Sequence, residues 1–567
     1  MDILRINMQA QTAVRQAVPP AWNDLGGRGL IARIMLDEVS PRCDPLGAEN
    51  ILIFAPGLLA GLQLSSCDRC SAGAKSPLTG GIKESNSGGT TGLHLHRLEI
   101  KALILEGMPS IDGWHILHIT RSGVQFLPAD GLAGKGVYAS ARYLLERFGN
   151  RVAVILIGPA GEKMLTGACI SNVDVNGSPT RVNGRGGLGA VMGSKHIKAI
   201  IMDASDCPLI HPLQAADFKE LRAEYHRVLM EQPQIKTYHD FGTAGILQLA
   251  NLCGVLPNNN YSSGHSTLAE NLSAETLREL LLARGGKAKT TSACMPGCLI
   301  QCSNCFADKN GDEVVSALEY ETIAMLGSNL GIFSLDDVAR LNHLVNDIGL
   351  DSIETGAALG VAAESGCVAF GNAGAFADLL HEVAAGTPRG QAVGNGASAA
   401  GRFFKVERVP VVKNQSLAAY DPRAVKGTGV TYATSPMGAD HTAGLTLRAK
   451  IDHLDPKIQT RISFNAQLNM AGYDTLGACI FAGFGFGAAP HLLPKLMKTG
   501  RGWDVPTDII QMLGISALQM EREFNRLAGF TPEDDRLPKW MCREPLPPTG
   551  AVFDVTDEDL DHVFTWD

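Results

Sequence analysis

The run Ser292-Ala-Cys-Met-Pro-Gly-Cys-Leu-Ile-Gln-Cys-Ser-Asn-Cys-Phe306 sets four cysteines within twelve residues in the middle of the chain. Thiols this close must either be wrapped around a bound group or be kept apart by the fold. Thirteen cysteines in 567 residues are too few for a disulfide scaffold, and clustered cysteines in a reducing compartment are more often metal ligands. Cys294-x3-Cys298-x3-Cys302 suits a cubane iron–sulfur cluster whose fourth ligand lies nearby or far along the chain. Zinc usually takes two separated pairs with two to four residues inside each, which this run does not offer. Inert free thiols are the bland alternative.

The hydrophobic fraction is 45% and the charged fraction 19%, as in an ordinary globular protein. A net charge of −9 argues against nucleic acid or an anionic membrane surface as partner. The first residues, MDILRINMQAQTAVRQ, contain no apolar run of signal type. The weakly polar run Thr475–Pro490 is too short and Gly-rich to span a bilayer, so a cytoplasmic protein is expected. Short apolar runs bounded by Gly and Pro predict strands at Ile51–Phe54, Ala102–Glu106, Val152–Ile157 and Ala199–Met202. Helical spacing predicts helices at Phe218–Gln232, Leu335–Ile348, Phe376–Ala385, Lys457–Gly472 and Ile515–Leu527, with a helix start at Ser273. The fold class is therefore α+β. A β-rich domain over 1–204 precedes a helical domain over 205–405 that carries the cysteines and a mainly helical domain over 406–567. The Pro-rich, acidic tail after Arg536 reads as an extended arm.

Other signals are individually modest. Val182-Asn-Gly-Arg-Gly-Gly-Leu-Gly-Ala190 can offer a guanidinium and bare N–H groups to phosphate, or simply form a tight turn. Asn86-Ser-Gly-Gly89 is a similar loop, and Arg69 lies between Cys67 and Cys70. Glu319-Tyr-Glu321 leads into an apolar run, which predicts a buried Glu321 with a raised pKa. His441 follows Asp440.

Together these runs resemble the tungsten- or molybdenum-dependent aldehyde:ferredoxin oxidoreductase family. The likeness also takes in Asp44-Pro-Leu-Gly-Ala-Glu-Asn50, Lys75-Ser-Pro-Leu-Thr-Gly80, Ile157-Gly-Pro-Ala-Gly-Glu162, Ala419-Tyr-Asp-Pro-Arg423 and Asp474-Thr-Leu-Gly-Ala-Cys479. It implies a metal held by two molybdopterin-type dithiolenes, with a [4Fe–4S] cluster bound by Cys294, Cys298, Cys302 and Cys479. It further implies Mg2+ bridging the pterin phosphates. Arg69, Asn86, Gly88, Arg185 and Gly186 would meet the phosphates and metal site, and Asp474 a pterin ring. A second pterin motif corresponds to Asn346-Asp-Ile-Gly-Leu350-Asp351, where Asn346 replaces the usual Asp. Glu321 and His441 would stand near the metal as proton carrier and substrate-orienting group.

The implied reaction is aldehyde to carboxylic acid, with electrons leaving through the cluster to ferredoxin or an iron–sulfur subunit. Reductive chemistry on an aromatic thioester is an alternative on the same fold. Cys298-x3-Cys302-x2-Cys305 also matches the spacing of radical S-adenosylmethionine enzymes, though no barrel-like alternation follows it. A non-catalytic electron-transfer subunit is the remaining rival. The motif that places an iron between subunits in some members reads Arg340-Leu-Asn-His343, so a homodimer, if formed, is expected without that iron.

Overall fold

The computed structural model describes residues 1–109 and 113–565. The N-terminal part is a pair of stacked sheets. The first has strands β1 (Asp2–Asn7), β2 (Thr12–Gln16), β3 (Leu52–Pro56), β4 (Cys70–Lys75), β5 (Ile82–Ser87) and β6 (Ile100–Glu106) in the order β2-β1-β6-β3-β4-β5. The second has β7 (His115–Thr120), β8 (Gly123–Pro128), β9 (Ala153–Leu156), β10 (Ile170–Asn172), β11 (Arg181–Asn183) and β12 (Ile197–Met202) in the order β11-β10-β9-β12-β7-β8. In the first sheet Ile3 faces Ala102 in a parallel pair, and Ile53 faces Ile104 in an antiparallel one.

The apolar strands are buried on both faces, which explains why they read as unbroken hydrophobic runs. Leu52, Phe54, Leu103 and Leu105 meet Leu117, Ile155, Ile200 and Met202 between the sheets. Ile53, Ala102 and Ile104 point outward onto the helix Gly27–Glu38 and onto Phe524. Val154, Leu156 and Ile201 do the same beneath the helix Val137–Phe148. All four strands expected from the sequence form within a residue or two of their predicted ends. β4 and β5 were not expected. Their side chains, Ser71, Ala72, Glu84 and Asn86 among them, are small or polar, and Glu84 and Asn86 line the central cavity rather than a core.

The remainder is mainly helical. Ala215–Met230, Leu335–Ile348, Ala373–Ala385, Gln459–Leu476 and Ile509–Ala528 overlap the expected helices. Ser273 caps Ala274–Arg284 by accepting the Thr276 N–H at 3.1 Å. The largest core gathers Ile323, Met325, Leu341, Val345, Leu359 and Phe376. Another packs the cysteine run onto the helices around Tyr225 and Leu496 through Met295 and Ile300. The tail after Arg536 is not a simple extended arm. It forms short helical turns at Lys539–Cys542 and Asp557–Asp561, and Arg536 pairs with Asp557 and Asp561. Among the described residues no helix is long and apolar enough to cross a membrane.

One contact ties the two ends of the chain together. The 57–69 loop and the 474–479 loop are joined by Leu59 N–H to Leu476 O at 3.0 Å, Arg69 N–H to Gly477 O at 3.1 Å and Cys479 N–H to Ser66 O at 2.8 Å. Gly57 is required there: a Cβ on it would lie 2.1 Å from the Gly477 backbone nitrogen. Gly477 itself has φ +72°. Gly57→Ala should destabilise the protein by about 3 kcal/mol, the upper end of ordinary overpacking, because backbone rather than a side chain would have to yield. Gly487→Ala, whose Cβ meets nothing within 4 Å, is the control and should leave the thermal midpoint nearly unchanged. Equal midpoints for the two variants would refute the requirement.

Candidate active site

A cavity of about 400 Å³ opens where these loops meet the sheets and the middle helices. β5 supplies Glu84 and Asn86, the loop after β11 supplies Arg185, and the mid-chain run supplies Cys294 and Cys302. Glu321 enters from the first turn of the helix Tyr320–Leu326, His441 from a short 3-10 turn, Asp474 from the last turn of the helix Gln459–Leu476, and Cys479 from the loop after it. Arg69, Gly88 and Asp351 complete the expected residues on its wall.

Three expected residues are placed elsewhere. Asn346 does not reach the cavity; its amide is 3.5 Å from the Tyr138 hydroxyl. Leu350 is buried behind Asp351, in a bridge with Ala168. Gly186 lies against Lys83, whose Cγ would be 2.4 Å from an added Cβ, so packing accounts for this glycine. A larger crevice of about 1280 Å³ lies apart from the site and is lined by Cys305, Tyr138 and His343. His343 stacks on Tyr138 at 4.4 Å, and its Nδ1 is 2.7 Å from the Val314 carbonyl oxygen.

Cys298 stands just behind the cavity wall, 3.5 Å from the Ser66 hydroxyl. Burial, together with nearby acidic groups and cysteines, pushes the Cys302 and Cys479 thiols up. The Cys294 thiol is raised first by its hydrogen bond with Cys298 and then by burial. Cys298 is buried and the other three are half-buried, with Arg69 and Arg181 near enough to offset part of the rise; a metal cluster would hold all four as thiolates. Among the described residues no group of three or more His, Cys, Asp or Glu side chains is arranged to hold a metal ion. A single ion draws thiolates to about 2.3 Å, whereas an iron–sulfur cluster occupies the space between its ligands, so the wider set suits a cluster. Cys305 is turned away and bonded to Glu313. Cys67 is packed in a hydrophobic core, and Cys70 in another.

The polar end of the cavity is an ordered network. Arg28 is fully buried, bonded to Glu521 at 2.8 Å and to Asp474 at 3.2 Å. Asn86 donates to the other Asp474 oxygen at 2.8 Å and is itself held by Arg69. Glu84 was not singled out from the sequence. Burial, and then the charge of Asp474, push its carboxyl up to about 8, and its Oε1 is buried without a hydrogen-bond partner. Such an orphaned oxygen is costly in a finished fold. Facing the cavity beside Asp474 and Arg69, it fits a polar heterocycle with phosphate arms. Arg185 fits phosphate less well than expected, because it already binds the carbonyls of Ala439 at 2.5 Å and Ser416 at 2.6 Å, with Asp351 at 3.3 Å.

At the opposite side His441 Nε2 lies 3.0 Å from Glu321 Oε1, which also accepts the Tyr420 hydroxyl at 3.0 Å. Here the expected raised pKa of Glu321 is corrected. Burial pushes the carboxyl up, but the charge and hydrogen bond of His441, with a backbone N–H and Tyr420, outweigh it and hold the group below its ordinary value. Burial likewise pulls His441 down, and Glu321 and then Asp440 more than restore it. Each member of this half-buried pair thus favours the charged form of the other. Asp440 is held low by Lys83, 2.9 Å away, and by Arg185, despite its burial.

Two family models match the chain: the N-terminal domain of aldehyde ferredoxin oxidoreductase over residues 3–204, and its domains 2 and 3 over 220–565. The chain belongs to the aldehyde ferredoxin oxidoreductase family. It is thus an oxidoreductase. It is 32% identical to the tungsten-containing aldehyde ferredoxin oxidoreductase of Pyrococcus horikoshii over 96% of this chain and 92% of that one. It is 26% identical to the aliphatic sulfonate oxidoreductase WOR-like subunit of Pyrococcus furiosus, over 93% and 86% of the two chains. Among solved structures, the active site complex BamBC of benzoyl coenzyme A reductase with 1,5-dienoyl-CoA shares the fold. Its TM-score is 0.80, with 19% identity, over 95% of this chain and 90% of that one.

The cysteine geometry yields a direct test. If these cysteines hold an iron–sulfur cluster, Cys479→Ala should lower the iron content per chain and abolish or convert the cluster's spectroscopic signature, while Cys305→Ala should leave both unchanged. The reverse pattern would exclude Cys479 as a ligand.

Proposed function

We propose that this family member binds a tungsten pterin cofactor in the central cavity and a [4Fe–4S] cluster beside it, on Cys294, Cys298, Cys302 and Cys479, and oxidises an aldehyde to a carboxylic acid. The observation that carries this reading is that one cavity brings together Cys294, Cys302 and Cys479, with Cys298 just behind its wall, the polar network around Asp474 and the Glu321–His441 ion pair. When bound, the metal centre would take up the two electrons that an aldehyde and water release on forming an acid and two protons. Asp474, Glu84 and Asn86 would hold the pterin, and Arg69 its phosphates, where Mg2+ could bridge them. Electrons would leave singly through the cluster to ferredoxin or an iron–sulfur subunit, and a homodimer would form without a bridging iron at His343.

The protein's own contribution is proton placement. His441, charged because Glu321 is beside it, donates a hydrogen bond to the carbonyl oxygen and orients the substrate. Glu321 keeps that proton on His441 and relays a released one, and Tyr420 fixes the carboxylate. Partial burial of the pair strengthens both interactions by limiting water. Metal analysis and pterin extraction on purified protein, with aldehyde-dependent dye reduction, test the reading as a whole. Iron without tungsten or molybdenum would overturn it.

Glu321→Gln separates a catalytic role from a structural one. Metal and pterin content should persist, while turnover per bound metal falls by roughly 10²-fold, the usual worth of a positioned acid–base group. Because Glu321 is what raises His441, its loss should let the imidazolium deprotonate at lower pH, so the alkaline limb of the residual pH–rate profile should move toward acid. Loss of metal with normal turnover of the loaded fraction would make Glu321 structural instead.

A further inference from the structure

Five arginines line the cavity, and they are not equivalent. Arg28 is taken up by Glu521 and Asp474, and Arg181 by Asp174 and the Ser303 hydroxyl. Arg185 is bound to two carbonyls and two carboxylates, and Arg69 is bonded to Asn86. Among the described residues, Arg448 alone of the five has neither a hydrogen bond nor a carboxylate partner. A free surface arginine would normally sweep through solvent. This one lies with its Cζ 4.9 Å from the centroid of the Tyr238 ring, which is itself stacked on Phe481 at 4.1 Å. Its loop is anchored on both sides, by Thr446 N–H to the Thr428 hydroxyl at 3.2 Å and Ala449 N–H to Thr446 O at 2.8 Å. The side chain is exposed on the cavity wall. A guanidinium seated over a ring and without an anion is ready for one from outside.

The rest of that wall shows what the anion would be attached to. Arg448 lies on the same chain segment as His441, and Leu445 between them also lines the cavity. Ile246, Met470, Ile480 and Phe481 give the neighbouring wall an apolar surface. A substrate whose carbonyl meets His441 would lay its body against these side chains and its far end toward Arg448. We infer that Arg448 is a specificity residue that binds an oxyanion at the far end of the substrate, making carboxylate- or sulfonate-bearing aldehydes the preferred substrates. This rests on the aldehyde oxidation proposed above. The step is unchanged: aldehyde and water give the acid, two protons and two electrons, the electrons reducing two equivalents of an oxidised viologen.

The test compares 4-formylbenzoate and 4-formylbenzenesulfonate with benzaldehyde, using the holoenzyme and a viologen acceptor, which needs no docking protein. For the wild type, kcat/KM should be at least about tenfold higher with one or both anionic substrates, the usual worth of a charge-assisted hydrogen bond. The better anion identifies the headgroup. Arg448→Leu should bring the ratio close to one, chiefly through KM, without changing kcat for benzaldehyde or metal content per chain. Arg448→Lys should keep part of the preference. A second readout needs no turnover: calorimetry should show 4-(hydroxymethyl)benzoate binding more tightly than benzyl alcohol, a difference lost in Arg448→Leu. If that difference appears while no aldehyde is oxidised, the reaction assignment fails and the anion site stands. If the wild type does not discriminate, or the substitution depresses charged and neutral ligands alike, the inference is overturned. An effect confined to assays with a protein electron acceptor would also overturn it, assigning Arg448 to docking.

Discussion

The backbone seam between residues 57–69 and 474–479 fixes where everything else in the site can be. Its hydrogen bonds run N–H to C=O with no side chain needed, and Gly57 against Gly477 allows the two strands of chain to touch. The seam runs from just after Asp474 to Cys479, and both line the cavity. Arg69, on the other side of it, is thereby set beside Asn86. Arg28, Glu521 and Asp474 then lock three distant parts of the sequence around one buried charge cluster. Removing one member of such a cluster is costly, because it leaves the others buried and uncompensated.

Much of the framework could be read from residue pattern alone, because burial on both faces writes apolar runs into strands such as Ile53 and Ile104. The same rule hid β4 and β5. β5 turns Glu84 and Asn86 to a polar cavity, and β4 is built of small residues such as Ser71, Ala72 and Gly73, so neither carries the pattern that marks a strand. Helix positions followed from spacing, and Ser273 from its capping chemistry. The tail after Arg536 was harder, since it is held by single buried side chains such as Met541, Leu546 and Phe553, spaced without helical or strand periodicity.

The site divides in a similar way. Cys294, Cys302, Cys479, Glu321 and His441 converge although motif and resemblance alone pointed to them. Asn346 does not, because it lies on the helix Leu335–Ile348, whose C-terminal end is directed at Tyr138 rather than at the cavity. Glu84 and Arg448 carried no motif, and nothing in one sequence marks a carboxyl or a guanidinium as lacking a partner. The sign of the Glu321 shift was also beyond reach. An apolar flank predicts burial correctly, but His441, far along the chain, reverses its effect.

The cavity wall is drawn from residues between Arg28 and Phe481, and its closing pieces are among the last of these. A ribosome therefore releases most of the polypeptide before any pocket exists. Whatever is to be enclosed meets a complete wall only after the helix Gln459–Leu476 and the loop after it have been made. The seam is thus also the step that completes the pocket, since the first and last parts of its wall are joined there.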